Sequence, residues 1–346
     1  MADSPDPFEA LYARGVTDGL PVIPPTRERV EAAVTASGRQ AGELIALVPP
    51  NFGRATVEKI AINAVMAGCR PEYLPVVIAG VEAMCDDAFD LHGVSATTNL
   101  HSPLFIINGP VRKTLDVNCG AGVFGPGWRA NATIGRALRL IAVNLGGAAP
   151  GVVSMSTLGH PGRYTYCIGE NEEESPWEPL SVEHGFDRAD STVAAFAGEA
   201  PHGVYDHRSR SARDLLITIG KSLEVISHHK STHHGDTVVV LSPEHARTIA
   251  GDGWGKAEIR RFLWERLRKP VKELIPGVEG GEGLPAHVLA KFPHPETDPT
   301  LIPKFREPEN LKLIVAGGTA GRFAAVIPGW TFPKGSRMVL KKIHLP

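Results

Sequence analysis

Three short β-branched runs constrain this chain more than anything else in it: PLFIIN at 103–108, DTVVVLS at 236–242 and LKLIVAG at 311–317. Each is too short for a buried helix and ends at Gly, Pro or Ser, so each reads as an interior strand of an α/β layer. Between them the apolar period changes from two to 3.6. Val57, Ile60, Ala61, Ala64 and Val65 recur at three and four, which predicts one buried helix face over 56–68. LPVVIAGVEAMC, near 73–86, is apolar on almost every side and predicts a buried helix. Ile134, Ala137, Leu138, Ile141 and Leu145 mark a further helix that closes at Gly146–Gly147. The second half repeats the mixture, with helices near 211–227, 244–250 and 256–268.

The expected architecture is α/β: two α/β lobes, distantly duplicated, with glycine-rich loops meeting at a central cleft. Residues 1–50 read as an N-terminal arm, with Thr26 as a helix cap, 51–200 as the first lobe and 201–346 as the second. Residues 275–310, rich in Pro and Gly without periodicity, read as a long ordered loop or lid.

Composition excludes several function classes. Thirty-six Lys and Arg stand against 38 Asp and Glu, a net charge of −2, which gives no support to nucleic-acid binding. No apolar run approaches the ~20 residues of a membrane span, and the first residues lack a basic-then-apolar leader, so a cytoplasmic protein without membrane contact is expected. Cys69, Cys85, Cys119 and Cys167 are widely spaced with no CxxC pair, which argues for reduced thiols.

The stretch GPGWRANATIGRALRLI, 125–141, places Trp128, Arg129 and Asn131 where a helix begins. Helix starts carry unpartnered N–H groups and partial positive charge. With Asn131 as N-cap, Arg129 as a planar fork and Trp128 as a wall, this is a seat for a small anionic substrate. The alternative is a tight turn with Trp128 in the core and Arg129 paired with a structural acid. GAGVFG at 120–125 matches GxGxxG by letter, but no strand leads directly into it and no acid follows at the right distance, so no nucleotide cofactor is expected.

Four other clusters carry chemistry. His160, Cys167, Glu170, Glu172, Glu173, Glu174 and His184 concentrate around Tyr164, Tyr166 and Trp177, offering acid/base groups or metal ligands, with Trp177 as a substrate contact. His245 follows the DTVVVLS strand, where open α/β sheets bind ligands. HHKSTHH holds His228, His229, His233 and His234; His229 and His233 would share a helical face suited to a divalent transition metal, and a polar loop is the alternative. Cys69, between Gly68 and Arg70, reads as a thiol activated by a nearby cation or as a small buried hydrophobe.

TDGLPVIPPT, ATVEKIAINAVMAGCRPEYLPVV, GPGWRANATIGRALRL, GHPGRYTYCIGENEEESPW and PEHARTIAGDGW occur in order along most of the chain. Together they resemble a poorly characterised bacterial family of about this length, associated with thiol or selenol partner proteins carrying a UGSC-type motif. The resemblance implies shared importance for Cys69, Arg129, Asn131, His160, Glu172, Glu173 and His245, and a possible thiol or selenol partner protein. HHKSTHH departs from the family's glycine- and serine-rich loop.

The expected function is that of a lyase or hydrolase acting on a carboxylate-bearing small molecule by elimination, hydration or hydrolysis, metal-assisted or not. Arg129 and Asn131 would bind the anion, His245 with Glu172 or Glu173 would move protons, and His160 would serve as second base or metal ligand. One alternative is a thiol redox enzyme using Cys69; the other is a non-catalytic metal-binding or assembly component using the histidine cluster. The apolar 73–86 helix suggests a homo-oligomer.

Overall fold

The computed structural model describes residues 6–226, 235–278, 280–331 and 335–346. The chain divides into two compact units. The first takes residues up to Glu172, Pro179–Ala200 and Arg337–Pro346; the second takes Glu173–Glu178 and Pro201–Ser336.

The first unit starts with helices α1 (Pro7–Ala13) and α2 (Arg27–Ala36) and a hairpin of β1 (Leu44–Val48) and β2 (Gly53–Thr56). Helices α3 (Val57–Ala67), α4 (Leu74–Met84) and α5 (Leu91–Ala96) follow. Thr56 caps α3 through its side chain, and Gly68 ends it at φ +93, a conformation that a side chain would strain. Ten of the eleven α4 residues are buried, as the unbroken apolar run implies. Next come β3 (Ser102–Asn108), α6 (Val111–Thr114), α7 (Arg129–Asn144), β4 (Cys167–Gly169), α8 (Leu180–Glu183) and β5 (Thr192–Gly198). α7 buries Ile134, Ala137, Leu138 and Ile141. It also passes very close to the chain entering β4: a Cβ at Gly135 would lie 2.5 Å from Thr165 Oγ1 and 2.7 Å from Tyr166 N.

The second unit runs through β6 (His202–Tyr205), α9 (Ala212–Val225), β7 (Thr237–Leu241), α10 (Pro243–Gly251), α11 (Lys256–Arg266), β8 (Arg268–Pro270), α12 (Ala286–Leu289), β9 (Leu301–Pro303), β10 (Leu311–Val315) and β11 (Phe323–Pro328). The 271–300 excursion, most of the stretch that reads as a long ordered loop or lid, is closed at its base by the antiparallel pair β8–β9. LKLIVAG is not the last strand: β11 follows, and β12 (Val339–Lys342) returns the chain to the first unit. β11 opens on an exposed Phe323 and β12 is four residues long and only partly buried, so neither has the uniform apolar signature of β7.

Each unit holds a four-stranded mixed sheet, ordered β12-β5-β3-β4 in the first and β10-β7-β11-β6 in the second. The pairings follow one pattern. β3 is parallel to β4 and antiparallel to β5, which is antiparallel to β12. β7 is parallel to β10 and antiparallel to β11, which is antiparallel to β6. PLFIIN and TVVVL therefore lie in matching interior positions, paired on both sides, which accounts for their apolar character on both faces. Among the described residues no helix is long and apolar enough to cross a membrane.

Candidate functional site

α7 begins three residues earlier than an N-cap at Asn131 would place it. Trp128, half-buried with extended backbone, is the N-cap and offers no side-chain cap; Arg129 is the first helical residue. Asn131 is therefore not the cap. It sits inside the first turn, buried, and its amide is fully used: Oδ1 accepts from Asn118 N at 2.7 Å, while Nδ2 donates to Asn118 O at 3.0 Å and Cys167 O at 3.1 Å. Asn131 fastens the glycine loop to the sheet, which leaves its amide no group to offer a ligand.

Arg129 is exposed, and its Nε donates to Gly68 O at 3.0 Å, laying the guanidinium over the last carbonyls of α3. Among the described residues its Nη atoms have no hydrogen bond or ion pair. Arg129 is one of the residues lining an open pocket of about 470 Å³, walled by Ile23, Ala32, Ala33, Val65 and Pro71, with Glu28, Arg29, Gly68 and Cys69 also in the lining. Arg29 Nη1 donates to Pro24 O at 2.9 Å. A cation at the first position of a helix opposes the helix dipole by ~0.3–1 kcal/mol. α7 has no acidic residue in its first turn to offset this, so an anion at the pocket mouth would meet two sources of positive potential.

Cys69 lies in the same pocket but is not activated. Burial pushes its thiol up to about 12, outweighing a hydrogen bond with Thr133 and the charge of Arg129. The cation whose charge bears on it is Arg129, 60 residues away in sequence. A thiol held protonated is a poor nucleophile.

Glu172 belongs to a different constellation, at the carboxyl ends of the parallel strands β3 and β4. Arg112, 3% exposed, pairs through Nη2 with Glu172 Oε2 at 3.0 Å and donates to Glu170 O at 2.7 Å and Gly109 O at 3.1 Å. Asn108 Nδ2 donates to Glu170 Oε2 at 2.7 Å and to Glu172 Oε1 at 3.0 Å. Gly109 N and Leu180 N donate to Glu172 and Glu170 respectively. Gly109 is required here: its φ is +84, and a Cβ would lie 2.1 Å from Asp190 O. Glu170 stood out in the sequence as one of the clustered acids, but Asn108 and Arg112 drew no attention as its partners. The only hint was the placement of Asn108 at the end of an interior strand.

The chain enters the second unit at Glu173. Glu174 pairs with Arg247 at 2.7 Å, Trp177 Nε1 donates to Trp254 O at 2.9 Å and Lys256 Nζ donates to Glu178 O at 2.7 Å. Trp177 packs against the core of that unit. It is an anchor for the 173–178 segment, and its indole N–H is already engaged.

His245 is completely buried in the first turn of α10, beneath the cap Ser242. Its Nε2 lies 3.4 Å from Asp206 O, and burial lowers its pKa, so the neutral imidazole is favoured. Glu244 beside it pairs with Arg322 at 3.2 Å and accepts from Gly321 N at 3.1 Å. Arg322 also binds the carbonyls of Asp206 and Ser209, closing the ends of β6, β7 and β11 together. His245 and Glu173 thus belong to the second unit, whereas Glu172 belongs to the first.

His160 is in the first unit. Its Nδ1 accepts from Gly162 N at 3.1 Å, its ring meets Tyr166 edge-on at 5.6 Å, and burial lowers its pKa. Near it lies a pair that sequence reasoning passed over: His101 Nε2 is 3.7 Å from Glu199 Oε1 at the joined ends of β3 and β5. Burial raises the Glu199 pKa. His228, His229, His233 and His234 lie outside the described residues. Among the described residues no group of three His, Cys, Asp or Glu side chains is placed to hold a metal ion.

No protein family matches the chain, and neither does any curated protein or solved structure.

Proposed function

We propose that the protein acts on a carboxylate-bearing small molecule, seated in the first unit at the pocket that Arg129 lines. The observation that carries this reading is the combination at Arg129: a guanidinium at a helix start with no acid in the first turn, Nη donors unengaged among the described residues, and a place in the lining of a space of about 470 Å³ with an apolar wall. A fork–carboxylate contact supplies charge and geometry together, and Ile23, Ala33 and Val65 provide burial for an apolar remainder.

The reaction class we propose is elimination, hydration or hydrolysis, which makes the protein a lyase or hydrolase. What supports acid/base work is that burial favours the neutral form of His160, in the same unit as the seat, the form that accepts a proton, whereas His245 is completely buried in the second unit and is given no role at this seat. Glu172 is given no proton-transfer role, because Arg112, Asn108 and Gly109 N occupy its oxygens. The raised Cys69 thiol weighs against the thiol-exchange alternative. The shared pairing pattern of the two sheets supports a distant internal duplication, in which the fourth strand of each sheet is contributed by the segment following the other's third strand.

A thermal-shift screen of short aliphatic and aromatic monocarboxylates tests the seat. Stabilisation of the native protein that disappears in Arg129→Ala, and returns in part in Arg129→Lys, supports it. Equal shifts in native protein and Arg129→Ala reject it.

A further inference from the structure

Arg139 and Arg163 are two half-buried arginines of the first unit that have no carboxylate within ion-pair distance among the described residues. Arg139 projects from α7 and Arg163 from the turn before β4, and both are half-buried. They clasp one turn from two sides. Arg139 Nη2 donates to Ala148 O at 3.5 Å, Arg163 Nη2 donates to Ser154 Oγ at 3.0 Å, and Ser154 N donates to Ala149 O at 3.0 Å. Ser154 is buried, and having accepted from Arg163 its hydroxyl keeps a proton to donate.

The charge in this region does not balance. Arg136, three residues before Arg139, takes both oxygens of Asp18 at 2.8 Å. Among the described residues no carboxylate lies within ion-pair distance of Arg139 or Arg163. Burial pushes the Arg139 guanidinium down to about 10, the Arg163 charge pushes in the same direction, and Asp18 offsets them only in part. Burial also lowers the Arg163 pKa. Three guanidiniums against one carboxylate leave two positive charges in partly desolvated surroundings, an arrangement that is costly unless an anion joins it.

We propose that Arg139, Arg163 and Ser154 form a binding site for a phosphate dianion. Two planar forks and a hydroxyl match the several oxygens and double charge of a phosphate better than they match one carboxylate. The same turn leaves Val152 77% and Leu158 81% exposed, with Met155 53% exposed between them. These side chains would be covered by the organic portion of a phosphate monoester. The site is separate from the Arg129 pocket and does not depend on the carboxylate reading.

Calorimetric titration of the full chain with inorganic phosphate, phenyl phosphate and acetate tests the site. Saturable binding of one phosphate or one phenyl phosphate per chain, with no comparable acetate binding, is expected. Arg139→Met and Arg163→Met each weaken it about tenfold or more, the loss of one charge-assisted fork. Tighter binding of phenyl phosphate identifies a monoester as the ligand, and equal binding identifies the free ion; both support the site. Without anion, Arg163→Met also raises the Tm, because it relieves repulsion on Arg139, whereas a merely structural Arg163–Ser154 bond predicts a fall. Absence of saturable binding by either phosphate, or affinities unchanged in both variants, overturns the proposal.

Discussion

Arg112 and Arg129 belong to the same unit and serve opposite ends. Arg112 is sunk at the carboxyl ends of β3 and β4 with a carboxylate and two backbone carbonyls around it, every fork direction used. Arg129 spends one N–H on the end of α3, lines an open pocket and has no ion pair among the described residues. The difference lies in charge balance. A guanidinium whose counter-charge is built into the fold is scaffold, and one without an ion pair has its charge open to an external anion. By that criterion Arg139 and Arg163 fall with Arg129, and Arg322, tied to Glu244 and two carbonyls, falls with Arg112.

Replacing Arg112 breaks the comparison on its scaffold side and has the largest effect. Arg112→Met leaves Glu170 and Glu172 buried without their cation and should lower stability by about 3–5 kcal/mol in chemical denaturation. A loss under ~1 kcal/mol would remove Arg112 from the scaffold class. Asn131→Ala, which strips partners from Asn118 N, Asn118 O and Cys167 O, should cost about 2 kcal/mol and leave ligand affinity nearly unchanged.

Lys304 sharpens the comparison with a third kind of cation. It is buried in the second unit and donates to the helix carbonyls Leu223 O and Ile226 O at the end of α9. Burial pulls its pKa from 10.5 down to about 7. The unfolded chain then holds this proton over the window from about 7 to 10.5 while the folded chain has released it. Stability contributed by this group rises with pH through the window, by about 1 kcal/mol per pH unit, and is flat below it. Lys304→Met should flatten that slope in urea titrations at pH 7, 8 and 9; an unchanged slope would assign the pH dependence elsewhere. The smallest stability effect is expected for Arg129→Ala, within ~0.5 kcal/mol, since it removes one exposed bond.

Much of the fold was legible because burial on both faces writes itself into composition. PLFIIN, TVVVL and the α4 run could be placed from apolar letters alone. β5, β11 and β12 were not placed: β5 is alanine-rich, β11 and β12 are partly exposed, and their partners lie far away in sequence. Of the site, Arg129 could be read because its meaning is local, a cation where a helix begins. Asn131 misled because a capping residue two places inside a helix looks the same in sequence as one at its start. Arg112, Glu170 and Asn108 depend on pairings about 60 residues apart, which no local pattern encodes. Arg139 and Arg163 are defined by the lack of a partner, and that too becomes visible only once the chain is folded.

The seat at Arg129 is tested most directly by calorimetry with two ligands of one shape, butyrate and butyramide. The account predicts saturable binding of butyrate, no measurable binding of butyramide, and at least about tenfold weaker butyrate binding in Arg129→Ala. Equal affinity for acid and amide, or butyrate affinity untouched by Arg129→Ala, would contradict it.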